Sequence, residues 1–271
     1  MNYSNLFSRI AVSIIAIPLI ILVLWTGKLS FLFFVLALAA IASYELSGLV
    51  RAKGASVSKF IFVLTSVFIV ANVYFKWISL VSSFIILFAI FFVKELFSKH
   101  SKPIANLGGY FFNAIYIGLM FSTFILTREN ATYDYEENFY IVLSLFAGVW
   151  VCDSAAYFIG SKFGKNKLYT KISPKKSWEG LLGGLLFSFV FFYFYSSYFF
   201  NILSLTNTII LALIVGVIGQ LGDLCESMLK RDANVKDSSG LIPGHGGVLD
   251  RFDSLLFVVP VAYFYLSFIL N

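Results

Sequence analysis

Long apolar runs, separated by short polar segments, extend along almost the whole chain. Most are close to the ~20 residues that a helix needs to cross the hydrocarbon core of a bilayer. The pattern predicts about nine transmembrane helices, at Ile10–Trp25, Leu29–Val50, Phe60–Ile78, Ser79–Val93, Leu107–Leu126, Phe139–Phe163, Leu181–Phe200, Leu205–Leu221 and Leu255–Leu270. We therefore expect an all-α, polytopic integral membrane protein, in which the third and fourth runs form a tight helical hairpin.

The basic residues between these runs predict the orientation. With the N-terminus in the cytoplasm, nearly all lysines and arginines of the connecting loops lie inside, and the acidic loop around residues 129–137 lies outside, as the positive-inside rule requires. The chain then divides into N-terminal transmembrane helices (1–105), a middle region that ends in a basic cytoplasmic loop (106–180), and a C-terminal region (181–271). We expect a multi-pass protein of the inner or plasma membrane if the source is bacterial.

Composition supports a membrane protein and excludes most soluble classes. Hydrophobic residues make up 59% of the chain, against ~45–50% in soluble domains, and the mean hydropathy is +0.88. The net charge of +6 is concentrated in short loops, which suits anionic lipid head groups better than nucleic acid. Cys152 and Cys225 lack the spacing of a metal knuckle or a disulfide framework and are interpreted as packing residues.

One polar stretch, Gly222–Ser254, concentrates charge in a chain that is only 13% charged. It contains carboxylates that can bind Mg²⁺, cations that can bind phosphate, and glycines that let backbone N–H groups approach a ligand. This combination predicts a site that handles phosphoryl groups.

At the start of this stretch, Asp223, Glu226 and Lys230 have helical spacing and should share one face of a helix. A Glu226–Lys230 pair would explain two of them as ordinary i,i+4 neighbours. Asp223 still lies near hydrocarbon depth, where an uncompensated acid is costly, so a role as a metal ligand is favoured for it.

The segment Leu241–Gly247 contains one proline and three glycines, which exclude a continuous helix and predict a loop with exposed backbone N–H groups beside His245. Asp250, Arg251 and Asp253 then open the last helix, where the helix dipole favours acids. Capping of the last helix accounts for one of these two acids. The presence of a second acid suggests a further role.

Other polar residues lie within or beside the apolar runs. Glu45, near the basic end of the second run, is interpreted as an interfacial acid, with a contribution to the site as the alternative. Asp153 lies inside the sixth run and should face protein or water, on one helical face with Tyr157. Gly160 and Gly164 predict a close approach of helices.

The most basic loop, Lys162–Lys176, leads into the segment Ser173–Gly180. That segment has the features of a helix start, with Pro174 near the first helical position and Glu179 able to reach back toward the cap.

Several of these residues belong to a longer pattern. It runs Ser227-x-x-Lys230-Arg231-x-x-x-x-Lys236-Asp237-x-x-x-x-x-Pro243-Gly244-His245-Gly246-Gly247-x-x-Asp250-Arg251-x-Asp253. This pattern resembles the motif of the phosphatidate cytidylyltransferases, also called CDP-diglyceride synthases. The resemblance extends to Asp153-x-x-Ala156-Tyr157-x-x-Gly160-x-x-Phe163-Gly164 and to Ser173–Gly180, so it covers most of the second half of the chain.

The resemblance implies transfer of CMP from CTP to phosphatidate, with Mg²⁺, to give CDP-diacylglycerol and pyrophosphate. The residue chemistry agrees, because an anionic lipid phosphate must attack an anionic triphosphate, and repulsion and alignment are then the main obstacles. Asp223 and Asp250 are the predicted Mg²⁺ ligands, and Glu226 and Asp253 are further candidates.

Basic and glycine residues complete the predicted site. Phosphates could be bound by lysine and arginine side chains, and no general base is required because the phosphatidate oxygen is already ionised. His245 is therefore interpreted as a positioning residue or a triphosphate contact. The candidate catalytic residues are Asp223, Asp250, Lys230 and Arg231, and the candidate substrate contacts are Ser173, Lys175, Lys176, Ser177, Lys236, His245, Gly246, Gly247 and Arg251.

Two other interpretations stay open. A related CTP-dependent transferase could act on another membrane lipid, such as an ether-lipid phosphate or a polyprenol, because apolar helices do not reveal the acceptor. An ion-coupled transporter is suggested by the intramembrane acids Asp153 and Asp223, although the internal repeat common in transporters is not visible. A CDP-alcohol phosphatidyltransferase is disfavoured because its Asp-Gly-x-x-Ala-Arg opening is absent. A homo-oligomer is left open.

Overall fold

The computed structural model describes residues 3–99, 102–130, 132–199, 204–242, 244 and 246–268, with side chains from Val12 to Ser267 within these ranges. Helices dominate the described chain, as the hydrophobic pattern predicts. They are α1 Tyr3–Thr26, α2 Lys28–Ala52, α3 Lys59–Phe75, α4 Leu80–Leu96, α5 Pro103–Asn113, α6 Met120–Arg128, α7 Tyr135–Phe163, α8 Trp178–Phe199, α9 Leu205–Leu213, α10 Gly219–Asp232, α11 Leu249–Phe252 and α12 Leu255–Phe268. π-Helical turns at Ala114–Leu119 and Ile214–Ile218 join α5 to α6 and α9 to α10, and strands β1 Lys167–Tyr169 and β2 Ser173–Ser177 form an antiparallel hairpin.

Each predicted apolar run coincides, to within a few residues, with helix in the described part of the chain. Five helical segments are long and apolar enough to cross a membrane: Lys28–Ala52, Pro103–Arg128, Tyr135–Phe163, Trp178–Phe199 and Leu205–Asp232. Val12–Thr26, Lys59–Phe75 and Leu255–Ser267 are shorter apolar helices. The helical, membrane-embedded class is therefore confirmed.

The chain forms two compact units, each built from two stretches of sequence. The first unit comprises Met1–Leu126 and Asp232–Arg251, and the second comprises Thr127–Arg231 and Phe252–Asn271. The polar stretch Gly222–Ser254 is thus divided: residues 232–251 belong to the first unit, and its two ends belong to the second.

Buried polar side chains link the helices of the first unit. Asn113 donates hydrogen bonds to the Phe62 carbonyl at 2.9 Å and to the Ser66 hydroxyl at 3.0 Å, and the Ser66 and Ser43 hydroxyls lie 2.5 Å apart. α2, α3 and the end of α5 are thereby joined inside the apolar core, where each polar group needs a partner.

The predicted hairpin of α3 and α4 is present in the first unit. α3 ends at Phe75, its C-cap residue Lys76 adopts a left-handed conformation, and α4 is capped by Ser79. Asn72 closes the turn, because its side chain exchanges hydrogen bonds with the Ile78 backbone at 2.9 and 3.0 Å and donates to the Ser83 hydroxyl at 3.0 Å.

α7 and α8 form the most extensive helix pair of the second unit. Their backbones approach closely at glycines: a Cβ atom on Gly180 would lie 2.8 Å from the Ala156 carbonyl oxygen and 3.2 Å from the Gly160 Cα atom. Small residues at such crossings allow tight packing without a hydrophobic driving force. The close approach predicted from Gly160 is therefore confirmed.

The helix start predicted at Ser173–Gly180 is wrong by several residues. Ser173–Ser177 is strand β2, and α8 begins at Trp178. Pro174 is tolerated because both strands of a two-stranded hairpin are edges, where a missing N–H is acceptable. The cap is Ser177, whose hydroxyl accepts from the Gly180 amide at 3.1 Å.

Candidate active site

In the first unit, a buried carboxylate of α2 holds residues 236–249, which we call the motif loop. Glu45 is 3% exposed. Its Oε1 accepts from the Ser239 hydroxyl at 2.5 Å and the Val248 amide at 3.0 Å. Its Oε2 accepts from the Ser238 hydroxyl at 3.2 Å and the Leu249 amide at 2.8 Å. The interpretation of Glu45 as an interfacial acid is therefore wrong, because its carboxylate is enclosed by loop donors.

Asp250 binds the same loop with its Oδ2 atom. It accepts from the Ser238 amide at 2.9 Å, the Ser238 hydroxyl at 2.8 Å and the Gly247 amide at 2.7 Å. Asp250 is 7% exposed. This carboxylate thus organises the loop, and its role as a metal ligand stays a prediction.

The glycines of the loop are required by its geometry, as predicted for a non-helical turn. Gly244 and Gly246 have φ values of 75° and 84°, in the region that disfavours side chains, and the Ile242 amide donates to the Gly246 carbonyl at 2.8 Å. A Cβ atom on Gly247 would collide with the Ser238 hydroxyl and lie 2.5 Å from Glu45 Oε1. Because Asp250 accepts the Gly247 N–H, that amide is already engaged within the loop.

In the second unit, a basic residue of β2 meets an acid of α10. Lys176 Nζ lies 2.8 Å from Asp223 Oδ2 and donates to the Gln220 carbonyl at 3.2 Å. The Ser227 hydroxyl donates to Asp223 Oδ1 at 3.3 Å. A predicted phosphate ligand and a predicted metal ligand are thereby brought together.

The neighbouring turn of α10 contains a second, more deeply buried ion pair. Lys230 pairs with Glu226 at i,i+4 spacing, and the two side chains are 9% and 0% exposed. The pair considered from the sequence is therefore formed. Lys230 is also a predicted catalytic residue, and Glu226 is a predicted metal ligand.

Two more acids belong to this region of the second unit. Burial, followed by the negative charges of Asp223 and Glu226, raises the pKa of Asp253 well above its usual range. Asp153 accepts a hydrogen bond at 2.9 Å from Gln220 Nε2. Four carboxylates are thus grouped with Lys176 and Lys230, and we call these six side chains the carboxylate cluster.

The basic hairpin is tied to the helices of the second unit at its tip and at its base. Arg231 Nε donates to the Ile172 carbonyl at 3.3 Å. Glu179 accepts at 3.1 Å from the Asn166 amide and at 2.8 Å from the Asn166 side chain. Lys176 is therefore presented on a fixed scaffold.

The remaining predicted site residues are distributed between the units. Lys236 and Arg251 are exposed side chains of the first unit. Ser173 and Lys175 lie on β2 in the second unit, and Lys175 is exposed. His245 lies outside the described residues.

The carboxylate cluster fits a divalent cation by its chemistry. Carboxylate oxygens are the hard ligands that Mg²⁺ prefers. Burial, and after it the charges of Asp223 and Glu226, raise the pKa of Asp253, and a bound cation would offset both effects. Among the residues that the structure describes, no three His, Cys, Asp or Glu side chains are arranged as a metal site, and Lys176 and Lys230 supply the counter-charges.

Comparison with known proteins matches the sequence of this chain to a family. A model of the cytidylyltransferase family matches residues 7–269. The chain belongs to the cytidylyltransferase family. This membership speaks against the transporter interpretation.

Curated relatives agree with the family model. A Bacillus subtilis protein named phosphatidate cytidylyltransferase is 34% identical over 264 residues, which cover 96% of this chain and 97% of that protein. A Staphylococcus haemolyticus protein of the same name is 34% identical over 266 residues, covering 93% and 96%. A Haemophilus influenzae protein of that name is 49% identical over 145 residues, which cover 52% of this chain and 50% of that protein. The match thus spans half of the Haemophilus protein and nearly all of the other two.

Sequence reasoning missed Gln220 and treated a site contribution of Glu45 only as the alternative, although both residues organise these regions of the cytidylyltransferase-family chain. Glu45 holds the motif loop, and Gln220 joins Asp153 to Lys176. A signal for Glu45 existed, because an acid at the basic end of an apolar helix requires a partner. The position of Gln220 along the chain gave no sign of a role in the site.

Proposed function

We propose that this chain transfers CMP from CTP to phosphatidate and forms CDP-diacylglycerol and pyrophosphate for phospholipid synthesis. The observation that supports this most strongly is its nearly full-length similarity to the Bacillus subtilis protein named phosphatidate cytidylyltransferase. The grouping of Lys176 with four carboxylates adds the charges that such chemistry needs.

In the proposed reaction, an oxygen of the lipid phosphate attacks the α-phosphorus of CTP. The bond from the α-phosphorus to the bridging oxygen breaks, and pyrophosphate leaves with the electron pair. The phosphate oxygen is already ionised, so no residue has to remove a proton. The chain has to align two anions and reduce their repulsion.

Basic side chains perform that task in our proposal. Lysine and arginine donate charge-assisted hydrogen bonds to phosphate oxygens, and arginine does so with two parallel donors. We assign phosphate binding to Lys175, Lys176, Lys230, Arg231, Lys236 and Arg251, with Ser173, Ser177, Gly246, Gly247 and His245 as further substrate contacts.

Nucleotidyl transfer generally depends on a divalent cation, which we assign as Mg²⁺. We propose that Asp223 and Asp250 hold it, with Glu226 and Asp253 as further ligands. When bound, the cation neutralises charge on the triphosphate and on the departing pyrophosphate. Lys176 supplies a positive charge beside Asp223, and Gln220 orients Asp153.

The proposed topology has nine spans with a cytoplasmic N-terminus, and the reaction takes place on the cytoplasmic side. The match of the apolar runs to helices and the distribution of basic loops support it. The division at residues 105 and 180 belongs to the same proposal.

An acceptor panel tests the activity. Purified protein in detergent is incubated with CTP, Mg²⁺ and either phosphatidate, an ether-linked analogue or a polyprenyl phosphate, and CDP-lipid and pyrophosphate are measured. We expect equal amounts of both products, with phosphatidate as the best acceptor. A preference for another acceptor would favour the related transferase, and the absence of product with every acceptor would reject the enzyme assignment.

A further inference from the structure

The motif loop receives its main support from a residue far away in the sequence. Ser238 lies 193 positions from Glu45, and Leu249 lies 204 positions from it, yet both donate to its carboxylate. We infer that Glu45 is a positioning residue that sets the conformation of the motif loop for nucleotide binding. The inference rests on the function proposed above.

A carboxylate is the side chain that these donors require. Two hydroxyls and two backbone amides point at two oxygen atoms. A buried carboxylate is costly unless it is hydrogen-bonded, and here it has four donors. In glutamine, an NH₂ group would replace one oxygen and oppose the Val248 or Leu249 amide, so that one backbone donor would lose its acceptor.

The contacts of Glu45 reach both ends of the loop. Ser238 and Ser239 follow Lys236, whereas Val248 and Leu249 follow the two glycines assigned to substrate binding. Ser238 is shared with Asp250, and there is no room between Glu45 and Gly247 for a side chain. The loop is therefore closed by two carboxylates, and only Asp250 is part of the motif.

A purely structural role for Glu45 has a different consequence. If Glu45 only stabilised α2, its loss would lower the amount of folded enzyme and hence the maximal rate, while the KM for CTP would stay constant. If Glu45 positions the loop, the variant still folds, but its loop is displaced and CTP binding is weakened. Loss of such supporting contacts typically reduces activity ~10–100-fold.

The test compares Glu45→Gln with Glu95→Gln in the full-length protein. Glu95 is a matched control, because it is a buried glutamate of the first unit, 8% exposed, that accepts from Asn106 at 2.9 Å and pairs with Lys94. Hydrogen exchange by mass spectrometry is measured on peptides that cover 236–249, with peptides from α7 as an internal reference. We expect faster exchange at the loop in Glu45→Gln alone.

Kinetics provide the second measurement. Glu45→Gln should raise the KM for CTP about 10-fold or more, and Glu95→Gln should leave it unchanged. Unaltered loop exchange together with an unaltered KM in folded Glu45→Gln protein would overturn the inference. If the wild-type protein makes no CDP-lipid, the proposed function fails, and the exchange measurement alone still decides whether Glu45 orders the loop.

A milder variant covers the case in which Glu45→Gln does not fold. Ser239→Ala removes the hydroxyl that donates to Glu45 Oε1 and accepts from the Leu241 amide at 3.2 Å, without changing α2. We expect the same changes in loop exchange and in KM, smaller in size. A Ser239→Ala protein with wild-type exchange and KM would contradict the inference.

Discussion

At the scale of single residues, the carboxylate cluster depends on its two lysines. The Lys230–Glu226 pair is almost completely enclosed, whereas Asp223 and Lys176 keep side-chain exposures of 31% and 17%. Removing one partner from a buried pair leaves an uncompensated charge, which costs far more than removing both. The two pairs therefore differ in accessibility: Asp223–Lys176 is open to ligand exchange, whereas Glu226–Lys230 also stabilises the fold from its buried position.

The buried pair makes a prediction about stability. Lys230→Met leaves the Glu226 carboxylate without its cation and should destabilise the protein by ~3–5 kcal/mol, and adding Glu226→Gln should recover most of the loss. Thermal unfolding in detergent measures both variants. Additive losses in the double variant would contradict the account.

The partly exposed Lys176–Asp223 pair makes a prediction about catalysis. Asp223→Asn should reduce CDP-lipid formation by about 100-fold or more, because it removes a charge that acts on the reacting phosphates. Asp232→Asn is the matched control, because Asp232 lies at the end of the same helix in an exposed pair with Lys53 at 2.9 Å. Equal activity of the two variants would rule out a special role for Asp223.

Residue types and spacing could predict the carboxylate cluster only in part. Charge is rare in an apolar chain, so Asp223, Glu226 and Lys230 stood out from their surroundings. Pairings between distant segments could not be predicted, because the links from Lys176 to Asp223 and from Glu45 to Ser238 depend on tertiary packing.

At the scale of elements, the α7–α8 pair supports the basic hairpin. β2 leads directly into α8, and α8 packs on α7 through glycines whose replacement would require backbone movement. The sequence predicted this close approach. It misplaced the start of α8, because Pro174 is compatible both with a first helical turn and with an edge strand.

Two glycine substitutions with similar intrinsic helix propensity should differ in effect. Gly180→Ala should lower the melting temperature, because its Cβ would lie 2.8 Å from a carbonyl oxygen of α7. Gly48→Ala in α2 should have no effect or raise it, since a Cβ there meets nothing within 4 Å, and alanine favours helix. The same shift in both variants would contradict close packing at Gly180.

At the scale of the whole molecule, hydropathy predicted the positions of the helices and their membrane-embedded class. The division into two units could not be predicted, because each unit combines segments that are distant in the sequence. Five segments have the length and composition of membrane spans on their own, so the nine-span topology needs direct measurement.

Cysteine accessibility tests the orientation. In a Cys152→Ser, Cys225→Ser background, Thr132→Cys should react with a membrane-impermeant maleimide added to intact cells, and Lys99→Cys should react only after permeabilisation. Both positions are exposed in the structure. The opposite labelling pattern would show that the orientation is inverted. Equal labelling of both positions in intact cells would contradict the prediction that an odd number of spans separates them.

The transfer of CMP is tested most directly by following the phosphorus atoms of CTP. Wild-type protein receives phosphatidate and CTP labelled either at the α- or at the γ-phosphorus, and the lipid and aqueous phases are counted separately. We predict that the α-label enters the lipid and the γ-label is recovered in pyrophosphate. A γ-label in the lipid would instead indicate phosphorylation, and an unlabelled lipid in both reactions would contradict nucleotidyl transfer by this chain.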